Sequence, residues 1–268
     1  MIERPADSAT PPAQLAAPRA LTSAVVAAAG AVAAAVIGPV LARSGLLPGG
    51  AGEGIFRGAI PFAAVAVAFA IPALRRPGRR FRAVAIIVVA VAAATLPIRA
   101  WIAASSAPPI HDLTTDLDNP PRYVAVARLR VPPANAVEYG GEAVARQQRA
   151  AYGDLRPLIV HAPPPRVLLM AADTARAEGW TVLAQDIGFG NLGRLEATDR
   201  SFLFGRIDDI VVRIVPHPAG SRVDVRSSAR DSRDDGRNAR RIRRFLAFLA
   251  ERAAAEPAGL PAGAPASR

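Results

Sequence analysis

The sequence predicts an α-helical membrane segment followed by an α+β domain, and three observations lead to this fold class. Nine apolar residue types make up 51% of the 268 positions, with a mean hydropathy of +0.22. Uncharged runs gather this apolar character in the first hundred residues or so, whereas from Ala107 the chain mixes charge, proline and alternating apolar residues. The α+β domain is expected to contain an antiparallel sheet of about four strands, with two or more helices packed on one face.

About three transmembrane helices are predicted, near residues 21–42, 58–74 and 83–101. The first contains 22 uncharged residues, which at 1.5 Å rise cross a hydrocarbon core about 30 Å thick. Its length and the acids in the preceding leader argue against a cleaved signal peptide. Gly30 and Gly38 suit close helix packing. A helical hairpin that does not span the membrane is the alternative.

The arginines of the loops predict the orientation of these helices. Five of them fall within eight residues between the second and third runs, at positions 75, 76, 79, 80 and 82. The positive-inside rule places this loop in the cytoplasm. The leader, residues 1–20, is then also cytoplasmic, and the chain after the membrane region (21–102) is extracytoplasmic. We expect a multi-pass protein of the inner (cytoplasmic) membrane with a periplasmic C-terminal domain.

Composition excludes several kinds of chemistry. The chain has no Cys, so disulfides, thiolate catalysis and Cys-ligated metals are excluded, and all 33 basic residues are Arg. Without Lys there is neither a Walker A loop nor a Schiff base. Of the net charge of +11, residues 1–99 carry +7 and residues 100–268 carry +4. Because the excess lies mainly in the membrane half, we expect no nucleic-acid partner.

The soluble domain is expected to cover residues 107–254. Its first segment, 107–121, is irregular and bounded by prolines. Pro165–Gly179 and Asn238–Ala254 are predicted as helices, and the tail 255–268 as disordered. The predicted strands are Thr181–Ile187, Arg194–Ser201, Ile210–Val215 and Arg222–Ser227.

The last two strands predict their own register. If residues 216–221 form a hairpin loop, Val215 faces Arg222 and Arg213 faces Asp224. The other face is then apolar, and Glu196 of the preceding strand joins the polar face. An exposed Arg213–Asp224 pair should contribute only about 0.2–1 kcal/mol, so exchanging the two charges should be nearly neutral.

Several ordered motifs resemble the bacterial domain of unknown function 1499. They are His111-Asp-Leu-Thr-Thr-Asp116 with Asn119-Pro-Pro121, the run 151–158 (Ala-Tyr-Gly-Asp-Leu-Arg-Pro-Leu), Glu196-Ala-Thr-Asp-Arg-Ser201, Asp208–Arg213, and Val223–Ser227 with Asn238–Ile242. The resemblance covers about residues 107–254. It supports the α+β architecture and implies no reaction, substrate or cofactor.

A glycine motif, Gly188-Phe-Gly-Asn-Leu-Gly193, matches the dinucleotide-binding fingerprint in spacing. That fingerprint requires a helix to begin at the motif. Because a predicted strand follows here, we interpret the motif as a hairpin loop. No cofactor and no metal site is predicted.

Two groups of residues are candidates for a site. His111, Asp112 and Asp116 could form an acid–base cluster, although Asp and Asn beside Pro more often cap turns. An anion pocket near the start of the last helix is the second candidate, and a lattice of ion pairs with the interleaved acids is its alternative. Its residues would be Arg200, Arg213, Arg226, Ser227, Arg230, Arg233 and Asn238.

Two functions follow. The favoured one is a non-catalytic, membrane-anchored domain that binds an anionic envelope component or a protein partner, with the lipid bilayer as its other partner. The alternative is a hydrolase-like enzyme that uses His111, Asp112 and Asp116. A concave pocket holding His111 beside Glu196 or the arginines would favour the enzyme, and a flat, fully paired polar face would favour binding.

Overall fold

The computed structural model describes residues 12–131, 134–230 and 234–255, and the chain divides into two compact units between Ile102 and Ala103. Residues 1–11 of the predicted leader and residues 256–268 of the predicted tail lie outside the described residues.

The first unit consists of helices α1 (Pro12–Arg43), α2 (Gly49–Arg57), α3 (Ala59–Leu74) and α4 (Arg80–Ser106). Three stretches are long and apolar enough to cross a membrane: Arg19–Arg43, Gly49–Leu74 and Arg80–Ser106. The second is longer than the predicted run from Gly58, because Gly58 keeps helical dihedrals between α2 and α3 (φ −57°, ψ −21°). Glu53 and Arg57 lie just before the predicted uncharged run, and they form an ion pair one helical turn apart.

Small residues hold these helices together. The buried side chains shared by α1, α3 and α4 are alanines, at positions 24, 27, 28, 31, 63, 66, 70, 73, 83, 90 and 94. Where α1 meets α2, a Cβ atom added at Gly38 would clash with the carbonyl oxygen of Gly52 and lie 2.8 Å from the backbone nitrogen of Phe56. The sequence correctly indicated close packing at Gly38, since only glycine lets the two backbones approach this far.

We expect Gly38→Ala to lower the stability of the first unit by about 1–3 kcal/mol, since α1 and α2 must separate to admit the methyl group. Thermal unfolding of the full chain in detergent would measure this. Gly54→Ala on α2 is the matched control, because no atom lies within 4 Å of the added Cβ. Equal unfolding temperatures for the two variants would contradict the close contact.

The second unit is an antiparallel sheet with helices on one face. Its strands are β1 (Asp112–Thr114), β2 (Leu158–Val160), β3 (Thr181–Gly188), β4 (Leu192–Arg200), β5 (Ile207–His217) and β6 (Gly220–Ala229). Their order is β1-β6-β5-β4-β3, and β2 also pairs with β6. The helices are α5 (Gly141–Ala151), α6 (Pro164–Ala177) and α7 (Arg237–Ala255), with 3-10 turns at Val126–Leu129 and Phe189–Asn191.

The predicted strand count of four was therefore too low, because the sheet has six strands. β1 and β2 contain three residues each, which is too short for an alternating pattern to stand out. Both lie along β6, β1 on residues 226–228 and β2 on residues 221–223. The segment 107–121, predicted as irregular, thus contributes an edge strand.

The core lies between the sheet and helices α6 and α7. Phe245 of α7 is fully buried and stacks on Trp180, with ring centroids 4.8 Å apart. Val212 and Val223 reach the same core from the sheet. Both helices were predicted within two residues of their observed ends, because their apolar residues recur at helical spacing.

The predicted register of β5 and β6 is confirmed: Val215 pairs with Arg222 and Arg213 with Asp224. The loop is shorter than predicted, because pairing continues to His217 and Gly220. Gly220 has φ +126°, and a Cβ there would clash with the carbonyl oxygen of Val160. The glycine motif 188–193 joins two antiparallel strands, as the hairpin interpretation requires.

The second face of the sheet is covered, contrary to the prediction of an outward polar face. Tyr123 and Val126 pack on Val211 of β5, and the Tyr123 hydroxyl donates to the backbone oxygen of Asp209 at 3.0 Å. We call residues 121–131 and 134–137 the covering segment. Glu196, Asp209 and Asp224, on the same face of the sheet, are completely buried. The carboxylates of these three residues therefore make their ion pairs and hydrogen bonds inside the protein rather than in water.

Candidate binding site

Arg226 lies at the centre of the covered face, on β6. Its Nε donates to Asp112 Oδ1 at 3.0 Å and its Nη2 to Asp112 Oδ2 at 2.6 Å. The remaining donors reach the backbone oxygens of Pro121 (3.0 Å) and Val137 (2.7 Å). The guanidinium also lies 4.6 Å from the ring centroid of Tyr123. One buried cation thus fixes β1 and the covering segment to the sheet.

Glu196 of β4 has a similar role for the covering segment. Its Oε1 and Oε2 each lie 3.0 Å from the backbone N–H of Val124, and Oε2 also accepts the N–H of Val126 at 3.0 Å. A fully buried carboxylate with these partners caps the 3-10 turn at 126–129.

A second network joins the covering segment to the beginning of β5. Asp209 accepts Arg130 Nε at 2.7 Å and Arg230 Nη2 at 2.5 Å. On the helical face, Arg241 of α7 donates to Asp208 at 2.6 Å and to Asn238 Oδ1 at 2.6 Å. These groups pair with one another, as in the ion-pair lattice that is the alternative to an anion pocket.

A third network surrounds Asp116. Its Oδ2 accepts Arg213 at 2.8 Å and Arg222 at 2.9 Å, and both arginines also bond Asp224. Asp116 Oδ1 accepts the N–H groups of Asp118 and Asn119 and so caps the turn.

Arg213 and Asp224 do pair, but the expectation that their ion pair is isolated and exposed was wrong. The Asp224 side chain is fully buried and that of Arg213 is 23% exposed. Exchanging the charges would place a carboxylate beside Asp116 and a guanidinium beside Arg222. The exchange is therefore no longer expected to be neutral.

The predicted site residues are divided among these networks. His111 is half-buried, burial lowers its pKa, and its backbone oxygen accepts Asn238 Nδ2 at 3.2 Å. Asp112 pairs with Arg226, whereas Asp116 pairs with two other arginines. Arg200 donates to the backbone oxygen of Gly205 at 3.2 Å. Arg233 and its neighbour Asp231 lie outside the described residues.

The loop from Thr115 to Pro120 separates two clefts. The smaller, of about 380 Å³, is lined by the cations Arg149, Arg156 and Arg222 and by the side chains of Asp116, Asp118 and Tyr152. Arg156 is exposed and makes no hydrogen bond or ion pair with any residue in the described ranges. Arg149 pairs with Glu142 at 2.8 Å and keeps 46% of its side chain exposed.

The larger cleft, of about 760 Å³, lies on the other side of the loop beside Tyr123 and Tyr139. The Tyr139 hydroxyl is buried without a hydrogen-bond partner among the described residues. Burial raises its pKa to about 12, so it remains a donor at neutral pH. Arg122, Glu138 and Glu142 give this cleft mixed charge. In the described parts of the chain, no group of three or more His, Asp or Glu side chains could hold a metal ion.

The profile of the family described as "Protein of unknown function (DUF1499)" matches residues 112–249, slightly more than half of the chain. The chain belongs to this family. The match begins at β1 and ends in α7, so the whole six-stranded sheet is the DUF1499 domain. No curated protein and no solved structure matches the chain significantly.

The segments that carried the resemblance build the networks of the DUF1499 domain. The His111–Asp116 segment supplies the acids that bind Arg226 and Arg213, and the Glu196 segment supplies the cap of the covering segment. The run 151–158 contributes Tyr152 and Arg156 to the smaller cleft. Sequence reasoning missed Arg149 and Arg156 as site residues, although Arg156 stands within a motif that it had singled out.

Proposed function

We propose that the protein is membrane-anchored and that its extracytoplasmic DUF1499 domain binds an anionic group of an envelope component in the smaller cleft without catalysing a reaction. The observation that carries this proposal is Arg156, an exposed cation without a partner in the described ranges, in a cleft that already contains two more arginines. Guanidinium groups bind phosphate and carboxylate through two parallel hydrogen bonds.

The charges of the cleft support an anionic ligand. Asp116 already accepts bonds from Arg213 and Arg222, so its charge is compensated by the protein. Asp118 is 96% exposed and lies 3.9 Å from Arg149, at the limit of an ion pair. Arg156 thus provides an uncompensated positive charge, and a volume of about 380 Å³ suits a small headgroup.

The positions of the candidate acids favour binding over hydrolysis. Asp112 is buried and paired with Arg226, Glu196 is buried and holds the covering segment, and His111 lines neither of the two clefts described. A general base must reach the proton that it removes. Neither of the two clefts described holds His111 beside Glu196 or the arginines, the arrangement that would have favoured the enzyme.

Membrane anchoring is supported by the three apolar helices, and the orientation by the five arginines between α3 and α4. With that loop in the cytoplasm, the DUF1499 domain lies on the periplasmic side of the inner membrane. Envelope components with phosphate or carboxylate groups would then be within its reach.

Arg156→Gln should weaken binding of glycerol phosphate at least tenfold, because a charge-assisted hydrogen bond is worth about 1.5–3 kcal/mol. Calorimetric titration of the full chain in nanodiscs of neutral lipid would measure the dissociation constant. Arg252→Gln is the control, because Arg252 is also an exposed arginine but lies in the last turn of α7. Equal losses in both variants, or no binding by the unaltered protein, would overturn the proposed site.

A further inference from the structure

We propose that one end of the DUF1499 domain lies on the bilayer surface and contacts it through an aromatic turn, residues 201–206, and the neighbouring apolar residues Leu129 and Val131. This inference depends on the membrane anchoring proposed above and is independent of the anion cleft. The contact would hold the domain in one orientation on the membrane. Without it, the domain could rotate freely about its connection to α4.

The position of the first strand defines this end of the sheet. Asp112 of β1 pairs with Ser228, Ser228 with Asp209, and Asp209 with Thr198. The chain therefore enters the sheet at the level where β4 ends and β5 begins. We call this level the tether end. The turn 201–206 connects β4 to β5 there, two to three strands from β1, or about 10–14 Å.

The connection to the last apolar helix is short. α4 ends at Ser106, and Ile110 is already buried in the core of the domain. The Cα atoms of these residues can be at most about 14 Å apart, since an extended chain advances by no more than about 3.6 Å per residue. If α4 spans the bilayer, the tether end is therefore kept near its surface.

Large exposed apolar side chains are present at this end. Phe202 is 85% exposed, Val131 72% and Leu129 48%. Leu129 and Val131 flank Arg130, whose bond to Asp209 fixes them at the same level of the sheet. Exposing apolar surface to water is unfavourable in free energy, and aromatic side chains are favoured at the membrane interface.

The turn presents Phe202 on an ordered scaffold. The N–H of Ser201 donates to the backbone oxygen of Arg206 at 2.8 Å, and the N–H of Arg206 donates to Ser201 Oγ at 2.9 Å. Gly205 adopts φ +65°, which closes the turn. Because the backbone is already fixed, inserting the aromatic side chain would require little additional ordering.

The charge of the tether end suits anionic lipid headgroups. Arg128 is exposed, and Arg200 and Arg206 flank the aromatic turn. Asp199 and Asp208, on the strands beside the turn, both pair with Arg241. Arginines close to a membrane surface contribute about 1 kcal/mol each to its attraction for the protein.

A phenylalanine that is even more exposed than Phe202 lies at the opposite end of the sheet. Phe189, at the tip of the β3–β4 hairpin, is fully exposed. The levels of Gly193 and Arg200 on β4 are seven residues apart, or about 24 Å. Only the tether end is brought near the bilayer by the connection to α4, so Phe189 provides a matched control.

Single-cysteine variants of this cysteine-free chain would test the contact. Phe202→Cys, Phe189→Cys and Val89→Cys would each carry a nitroxide label in the full chain, in nanodiscs containing phosphatidylglycerol. Val89 is a lipid reference, because it is 46% exposed on α4. The measurement is the ratio of collision with oxygen, which concentrates in lipid, to collision with a water-soluble nickel chelate. Leu129→Cys repeats it with Phe202 retained.

We expect the labels at positions 202 and 129 to have ratios well above that at position 189 and closer to that at position 89. If positions 202 and 129 match position 189 while position 89 is lipid-like, the contact is disproved and the anchoring stands. If the label at position 89 is also water-like, the anchoring itself is wrong, and the inference fails with it.

Discussion

Replacing Arg226 with leucine should lower the free energy of unfolding of the DUF1499 domain by about 3–5 kcal/mol. The substitution leaves Asp112, which is 2% exposed, without its counter-ion. It also removes the donors to the backbone oxygens of Pro121 and Val137. Urea unfolding of the full chain in detergent, followed by the fluorescence of Trp180 in a Trp101→Phe background, would measure the loss.

Two further variants test whether the loss of stability arises from the burial of the ion pair. Arg176→Leu removes an arginine whose pair with Asp173 leaves both side chains more than half exposed, so its effect should stay below about 1 kcal/mol. The double variant Asp112→Leu with Arg226→Leu should regain part of the loss, because a buried apolar pair avoids the desolvation of both charges. A loss below 1 kcal/mol for Arg226→Leu would show that Asp112 reaches water.

The core between the sheet and helices α6 and α7 could be predicted from the sequence, because alternation and helical spacing specify which side chains face a core. Val212 and Ile214 alternate with Arg213, and this alternation, together with a hairpin loop assumed at residues 216–221, predicted the register against Asp224. The same alternation says only that the other residues point away from that core. It does not distinguish water from a covering segment, so Glu196 and Asp224 were expected at the surface and are buried.

The sequence of the covering segment has no hydrophobic periodicity of its own. Tyr123 and Val126 are held by bonds to Asp209 and Glu196, which lie more than 60 positions away in the sequence. Such contacts depend on the assembled sheet and leave no local pattern. The smaller cleft was missed for the same reason, since β6, α5 and the loop after α5 bring its arginines together only in the fold.

The turn at Asp116 was easier to anticipate. Asp and Asn next to Pro predict side-chain bonds to nearby backbone N–H groups, and Asp116 makes two of them. Its two arginine partners come from β5 and β6, and only the register of these strands places them within reach. Local chemistry thus predicted the shape of the loop, and the sheet determined its charge environment.

Asp234→Asn should stabilise the domain at neutral pH and remove part of its pH dependence. Asp234 is 4% exposed, and burial, as the largest cause, raises its pKa from the ordinary value of 3.8 to about 6. Its Oδ1 accepts the N–H of Asn238 in the first turn of α7 at 3.1 Å, a bond that an asparagine oxygen can keep. Its Oδ2 is buried without a hydrogen-bond partner among the described residues.

The direction follows from proton binding. Below about pH 3 the carboxyl is protonated in both the folded and the unfolded state, and the domain has the full stability that its neutral form allows. Between the ordinary pKa of 3.8 and about 6 the unfolded state ionises while the folded state keeps the proton, so about 3 kcal/mol of stability is lost by the time the pH has risen through 6. Asparagine has no such loss, so the stability of the variant relative to the unaltered chain should rise by about this amount between pH 4 and pH 8.

Urea unfolding of the full chain at a series of pH values would measure that difference. Taking the difference between the two proteins cancels the other titrating groups. Asp173→Asn, at a carboxyl that is 59% exposed, should shift stability by less than about 0.5 kcal/mol at every pH. The charges of Asp235 and Asp208 also raise the pKa of Asp234, so the substitution removes this repulsion. A difference that does not change with pH would mean that Asp234 titrates as an exposed carboxyl.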